Sequence, residues 1–202
     1  MLKRFVWSEG DLYSIQLKGD LYTVAQLLKK PYVAFFDIKR NNSAFFGGES
    51  DLISANPLGV CMVLNDFFKK CAFEKIGKNV LGAQAIELPE LFISKDGRQW
   101  LHPGDGNDLK YNIVKIDPNV GDQGILGNHV IARDINKSDL ELIRKYEMVG
   151  FNTGYELIRR LIVSLEKGVW IDPSKEQQLL GVDNYPLKTV EEMWRAGVPK
   201  YQ

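Results

Sequence analysis

The sequence has little of what marks nucleic-acid-binding and membrane proteins. Lys plus Arg equals Asp plus Glu, with 26 of each among 202 residues. A general nucleic-acid binder carries a basic excess, so direct nucleic-acid binding is not expected. No apolar run approaches the roughly 18 residues that span a bilayer, so no membrane contact is expected either.

Cysteine and histidine are equally scarce, with two of each. Cys61 and Cys71, without a signal segment before them, fit a cytoplasmic protein with free, mostly buried thiols. Metal sites need several His, Cys or carboxylate groups at characteristic spacings, and neither His102 nor His129 has such partners nearby. We therefore predict no metal and no cofactor. His129 lies in an Asn-His-Val-Ile-Ala run, which predicts a packed histidine in a strand.

Motifs of catalysis are also missing. The chain has no Gly-x-Ser-x-Gly elbow, and Gly121, Gly124 and Gly127 match neither a dinucleotide fingerprint nor a phosphate loop. Their spacing indicates a turn region. The Pro-Gly-Asp-Gly-Asn-Asp string of residues 103–108 lacks the later glutamate of a calcium loop. No catalytic residue is predicted, although residues distant in sequence can still meet in space.

The N-terminal part has the pattern of a β-meander. Residues 11–17 alternate, with Leu12, Ser14 and Gln16 on one side and Tyr13, Ile15 and Leu17 on the other. This period of two predicts a half-buried strand. A turn at residues 18–20 and a return strand at 21–28 follow, and the run at 32–38 predicts a strand buried on both faces. Such meanders often curl into small barrels.

The rest of the chain changes from strands to helices. Further strands are predicted at 60–64, 67–76 and 110–116, and an entry strand at 1–7. Three capping boxes then mark helix starts: Ser138 with Glu141, Thr153 with Glu156, and Thr189 with Glu192. Glycines predict the helix ends: Gly150, Gly168 and Gly197. The Arg159-Arg160 pair is interpreted as a solvated edge.

These elements predict an α+β fold. An N-terminal antiparallel curled β-sheet or small barrel carries a C-terminal helical region packed on it, because the helical faces need a partner and the sheet is the large one available. We assign residues 1–137 to a β-rich domain and 138–202 to a helical extension. Both are expected to form one globular unit.

The middle of the chain is mildly acidic. Residues 81–136 carry 8 acidic and 5 basic groups. Trp100 lies in this stretch with three carboxylates around it, those of Asp96, Asp105 and Asp108. An aromatic anchor ringed by carboxylates suits a surface that caps a basic partner. We predict these four residues as an interface.

Two segments resemble the immunity protein 26 family. "SEGDLYSIQLKGDLYTVAQLL" followed by "YVAFFDI" is similar to the opening of that family, and "FEKIGKNVL…IELPELFI" is similar to a later segment. The resemblance covers roughly residues 4–115. Phe73 occupies a place where the family pattern has Trp, and the chain from residue 138 onward has no counterpart in it.

The resemblance implies a role in bacterial polymorphic toxin or contact-dependent inhibition systems. The protein would bind a cognate toxin domain, possibly a nuclease, and neutralise it by stoichiometric occlusion of the active site, without being an enzyme. One alternative is a small cytosolic enzyme with a spatially assembled site from His102, Asp105 and Cys61. Another is an adaptor that binds a different protein, for example a peptide along a sheet edge. The sequence leaves the oligomeric state open.

Overall fold

The computed structural model describes residues 4–41, 57–78, 86–96, 110–117, 119–121, 127–136 and 138–201. The chain divides into two compact units. The first comprises residues 1–87, 151–174 and 183–202, and the second residues 88–150 and 175–182. The helical third is thus shared between both units, whereas the sequence suggested a division at residue 137.

The first unit contains an antiparallel sheet. Within the described residues its strands are β1 (Asp11–Lys18), β2 (Leu21–Leu27), β3 (Tyr32–Phe36), β4 (Pro57–Met62) and β5 (Ala72–Lys78). Their order is β4-β3-β2-β1-β5, and every neighbouring pair is antiparallel. The meander expected from the sequence is the centre of this sheet, because its short turns place β1, β2 and β3 side by side.

Both faces of the sheet are buried along the central strands β1, β2 and β3, and the alternation along β1 decides which residue lies on which face. Tyr13, Ile15 and Leu17 join the main core cluster, whereas Leu12 belongs to a second cluster with residues of β2 and β3. The faces are those predicted, but the strand is buried on both sides and not on one. The prediction that β3 is buried throughout is confirmed.

Three helices complete the described part of the first unit: α1 (Asn65–Cys71), α3 (Gly154–Lys167) and α5 (Val190–Arg195). The apolar face of α3 packs in the main core, with the side chains of Leu157, Ile158, Leu161, Ile162 and Leu165. Helix α3 therefore packs on this sheet, and the predicted α+β class is confirmed.

The second unit has a smaller sheet of its own. Its described strands are β6 (Leu91–Lys95), β7 (Tyr111–Lys115), β8 (His129–Ala132) and β9 (Glu147–Met148). They lie in the order β8-β7-β6-β9, with β9 parallel to β6. Helix α2 (Leu140–Lys145) and most of α4 (Pro173–Leu180) also belong here. A core cluster around Ile93, Tyr111, Ile143 and Leu179 holds these elements together.

Several local predictions were wrong. The predicted strand at 67–76 is helix α1 followed by β5, because Phe67 and Phe68 are both buried and so do not alternate. Residues 4–7, the described part of the predicted entry strand, form no strand. Helix α2 is capped by Asp139, whose side chain accepts from the Leu142 N–H, and not by Ser138.

The Arg159-Arg160 pair is buried and not solvated. The guanidinium of Arg160 lies 4.0 Å from the centroid of the Trp170 ring and 3.2 Å from Asp172. Arg159 binds both carboxylate oxygens of Asp183, at 2.7 and 2.8 Å. Both arginines are buried because each finds a carboxylate within the first unit.

Among the described residues, no helix is long and apolar enough to cross a membrane.

Candidate binding cleft

The second unit carries a cleft where β7 ends and β8 begins. Antiparallel pairing sets Lys115, the last residue of β7, opposite His129, the first residue of β8. Paired residues of antiparallel strands direct their side chains to the same face. An ammonium and an imidazole are thereby neighbours at one end of the sheet, and both residues are exposed.

A tight turn after β7 forms one wall of the cleft. The Asp117 carboxylate accepts a hydrogen bond from the Asn119 N–H at 2.7 Å. The Asp117 carbonyl accepts from the N–H groups of Val120 and Gly121, at 3.0 and 2.8 Å. Gly121 has φ +83°, a left-handed conformation that favours glycine. Asp117 therefore organises the turn through both its side chain and its backbone.

The cleft has a volume of about 210 Å³. Its described lining is Lys115, Asp117, Val120, Gly121, Gly127, Asn128 and His129. Asn128 is buried and supplies an amide, whereas Val120 supplies an exposed apolar wall. Pockets for drug-sized ligands span about 300–1,000 Å³. A cleft of this size fits a single side chain or a small chemical group.

The lysine of the cleft is paired with a carboxylate that does not belong to the described lining. The Lys115 ammonium lies 2.9 Å from the Glu90 carboxylate. The hydrogen bond to Glu90 and its charge raise the pKa of Lys115, and the charge of Asp117 adds to the effect. Lys115 thus stays protonated and has Glu90 as its counter-charge. Asp117 is the carboxylate among the described lining residues.

The residues predicted as an interface are not gathered into one described site. Trp100, Asp105 and Asp108 lie outside the described residues, as does His102. Asp96 is described, directly after β6, and is only 3% exposed. Its backbone N–H donates to the Lys110 carbonyl at 2.9 Å. A side chain so buried offers almost no surface to a partner, which argues against Asp96 as a contact residue.

Other singled-out residues also differ from expectation. His129 lies in a strand as predicted, but it is exposed at the cleft and not packed. Cys61 is completely buried in the core cluster of the first unit, so its thiol does not face solvent as an enzyme nucleophile would. Cys61 and Cys71 are free buried thiols, which confirms that prediction. Burial raises the pKa of Cys71 to about 12.

Sequence reasoning missed Lys115, Asp117 and Asn128 as site residues. The signal that could have found the turn is an Asp two residues before an Asn, since Asp side chains accept from the backbone two residues on. The glycines interpreted as a turn region do border the cleft, through Gly121 and Gly127.

No cluster of three or more His, Cys, Asp or Glu side chains able to hold a metal ion occurs in the described part of the chain.

Fold and cleft define the class: an α+β protein of two compact units, one of which bears a small surface cleft with a carboxylate, an ammonium and an imidazole. The chain belongs to the family described as Domain of unknown function (DUF8309), whose model matches residues 2–183. No curated protein and no solved structure matches the chain.

Proposed function

We propose that the protein is an immunity protein, which binds a cognate bacterial toxin domain and neutralises it by stoichiometric occlusion of the toxin's active site. The partner is the toxin domain itself, and the inhibitor needs no cofactor. In this proposal the protein acts in the cytoplasm of the toxin-producing cell, where the toxin would otherwise cause damage.

One observation carries the proposal. The first segment that resembles immunity proteins, residues 8–38, contains the contiguous meander β1-β2-β3, with Gly10 in the turn before β1 and Gly19 in the turn between β1 and β2. Both glycines have positive φ, at 84° and 50°. The resembling motif thus coincides with one complete structural unit at the centre of the sheet. A short sequence match that arises by chance is not expected to coincide with the boundaries of strands and turns.

The surface of the second unit suits a protein partner. Val120 and Ile131 are 63% and 51% exposed. Both belong to the same strand-and-turn region as the cleft, because Val120 lines it and Ile131 lies two residues after His129. Exposed apolar residues beside polar groups are typical of protein interfaces. The two buried free thiols suit a reducing compartment.

The test is co-expression with the toxin domain encoded next to the gene of this protein. We expect rescued growth and a complex of one toxin domain with one inhibitor after co-purification. A toxin domain of unrelated sequence serves as the control and should remain lethal. If the adjacent toxin kills cells at undiminished rate and does not co-purify, the proposed function is wrong.

A further inference from the structure

We propose that the cleft between the end of β7 and the start of β8 is a docking site for an arginine side chain of the toxin. This inference rests on the proposed function and specifies the chemistry of its contact. The residues that carry it are Lys115, Asp117, Val120, Asn128 and His129.

The size of the cleft points to one side chain. About 210 Å³ is too small for a typical drug-sized ligand. It suffices for one long side chain inserted from a partner's surface. Protein interfaces concentrate their binding energy in such anchors, and arginine is one of the residue types enriched among them.

The charge of the cleft selects a cation. Lys115 is engaged by Glu90 at 2.9 Å, so its positive charge is already compensated. Asp117 is the carboxylate among the described lining residues. An anionic side chain would meet the negative charge of Asp117, whereas a guanidinium would balance it.

The geometry of Asp117 suits a guanidinium. The hydrogen bond from the Asn119 N–H engages Oδ1 and fixes the carboxylate on its turn. A carboxylate accepts at both oxygens, so Oδ2 can accept from a guanidinium N–H group. Charge-assisted bonds of this kind are about twice as strong as neutral ones.

The apolar wall suits the stem of arginine. Arginine carries an aliphatic stem that packs on apolar surface while its charged end remains hydrogen-bonded. Val120, which is mostly exposed in the free protein, lies in the lining and offers this surface. A partner that covers Val120 would remove its side chain from water, which favours association.

The first test measures toxin binding by Asp117→Asn. This variant keeps an oxygen acceptor for the Asn119 N–H and removes the charge. We expect a Kd at least about tenfold higher than that of the wild type. The matched control is Glu141→Gln, which neutralises an exposed carboxylate on α2 of the same unit. It should change Kd less than threefold. An Asp117→Asn variant that folds normally and binds like the wild type overturns the inference.

The second test does not depend on a toxin. Arginine amide is titrated into the isotope-labelled protein, and citrulline amide, whose urea side chain lacks the guanidinium charge, into a second sample. We expect arginine to shift the amide resonances of Gly121, Asn128 and His129 progressively, and the shifts to be lost in Asp117→Asn. Equal shifts with citrulline, or none with arginine, overturn the cleft inference. A wild type that binds no toxin but shows the arginine-specific shifts refutes the proposed function and leaves the cleft chemistry supported.

Discussion

At the scale of single residues, Gly59 of the first unit is a position where the fold has no room for a side chain. Gly59 lies in β4, and a Cβ built on it would overlap the Cγ, Cδ2 and Cε2 atoms of Trp170. The Trp170 ring stacks on Phe35 with a centroid distance of 6.0 Å and also contacts the guanidinium of Arg160. Glycine is therefore required here by close approach to an aromatic ring that has other partners.

We predict that Gly59→Ala destabilises the protein by about 1–3 kcal/mol, because overpacking forces side chains and backbone to shift. Urea unfolding measures the loss as a lower midpoint. The control is Gly77→Ala in β5, where the added Cβ meets only the Leu12 Cδ1 at 4.0 Å. Alanine in a strand is otherwise favoured over glycine, so this variant should be neutral or slightly stabilised. Equal midpoints for Gly59→Ala and wild type would contradict the close approach.

At the scale of elements, Arg159 connects helix α3 to the segment that follows α4 in the first unit. Its guanidinium binds the Asp183 carboxylate and donates to the backbone carbonyl of Tyr185. Its Nε–H donates to the backbone carbonyl of Pro186 at 2.9 Å. The side chains of Arg159 and Asp183 are each 9% exposed. Burial alone would raise the pKa of Asp183, but hydrogen bonds from Arg159 and the Tyr185 N–H lower it overall.

We predict that Asp183→Ala destabilises the protein toward the lower end of about 3–5 kcal/mol, because it leaves a buried guanidinium without its counter-charge. The loss of stability is limited because the backbone carbonyls of Tyr185 and Pro186 still accept hydrogen bonds from Arg159. The control is Glu166→Ala, which breaks the surface pair with Lys18, 31% and 47% exposed, and should cost less than about 1 kcal/mol. Urea unfolding distinguishes them. Similar losses for both variants would refute the special role of the buried pair.

The elements that could be predicted from sequence are those with local signals. The meander was predictable because period-two alternation and glycine turns act over a few residues. The third capping box was confirmed in full: Thr189 accepts from the Glu192 N–H, and the Glu192 side chain reaches back. Helix α3 has the predicted start and ends at Gly168, although Thr153 makes no side-chain cap bond.

What could not be predicted depends on distant partners. The burial of Arg160 requires Trp170 and Asp172, which reach it only through the turn after α3. The same holds for Asp11, whose carboxylate lies 2.6 Å from Lys75 of the neighbouring strand. The cleft likewise needed the β7–β8 register, since Lys115 and His129 meet only through it. Pattern analysis along the chain contains no such information.

At the scale of the whole molecule, a buried thiol and three wholly or partly buried phenols share one direction of response to pH. Burial raises the pKa of Cys71 to about 12. It also raises the pKa values of Tyr13, Tyr111 and Tyr201 above their ordinary range. Each of these groups is neutral when protonated. Folding therefore favours the protonated form, and alkaline solution favours the unfolded chain, in which these groups ionise more easily.

We predict that the free energy of unfolding is constant with respect to these groups below about pH 8.5 and falls as pH rises beyond it. The sign follows because, between the unfolded and folded pKa values, the native state holds protons that the unfolded state has released. Cys71 alone should contribute about 2–3 kcal/mol of loss between pH 8 and pH 10.5, because about two pH units lie between the onset and pH 10.5, each worth about 1.4 kcal/mol.

Urea unfolding at intervals from pH 7 to pH 10.5 measures this decline. Cys71→Ala removes a buried thiol, so it should lower stability at neutral pH yet flatten the alkaline decline. Tyr201→Phe removes a phenol whose hydroxyl donates to the Gln16 carbonyl at 3.1 Å, and should flatten the decline only above about pH 10. If the free energy of unfolding of these variants falls with pH as steeply as that of the wild type, the two groups have the same pKa in the folded and the unfolded chain. Their burial would then carry no energetic consequence for ionisation.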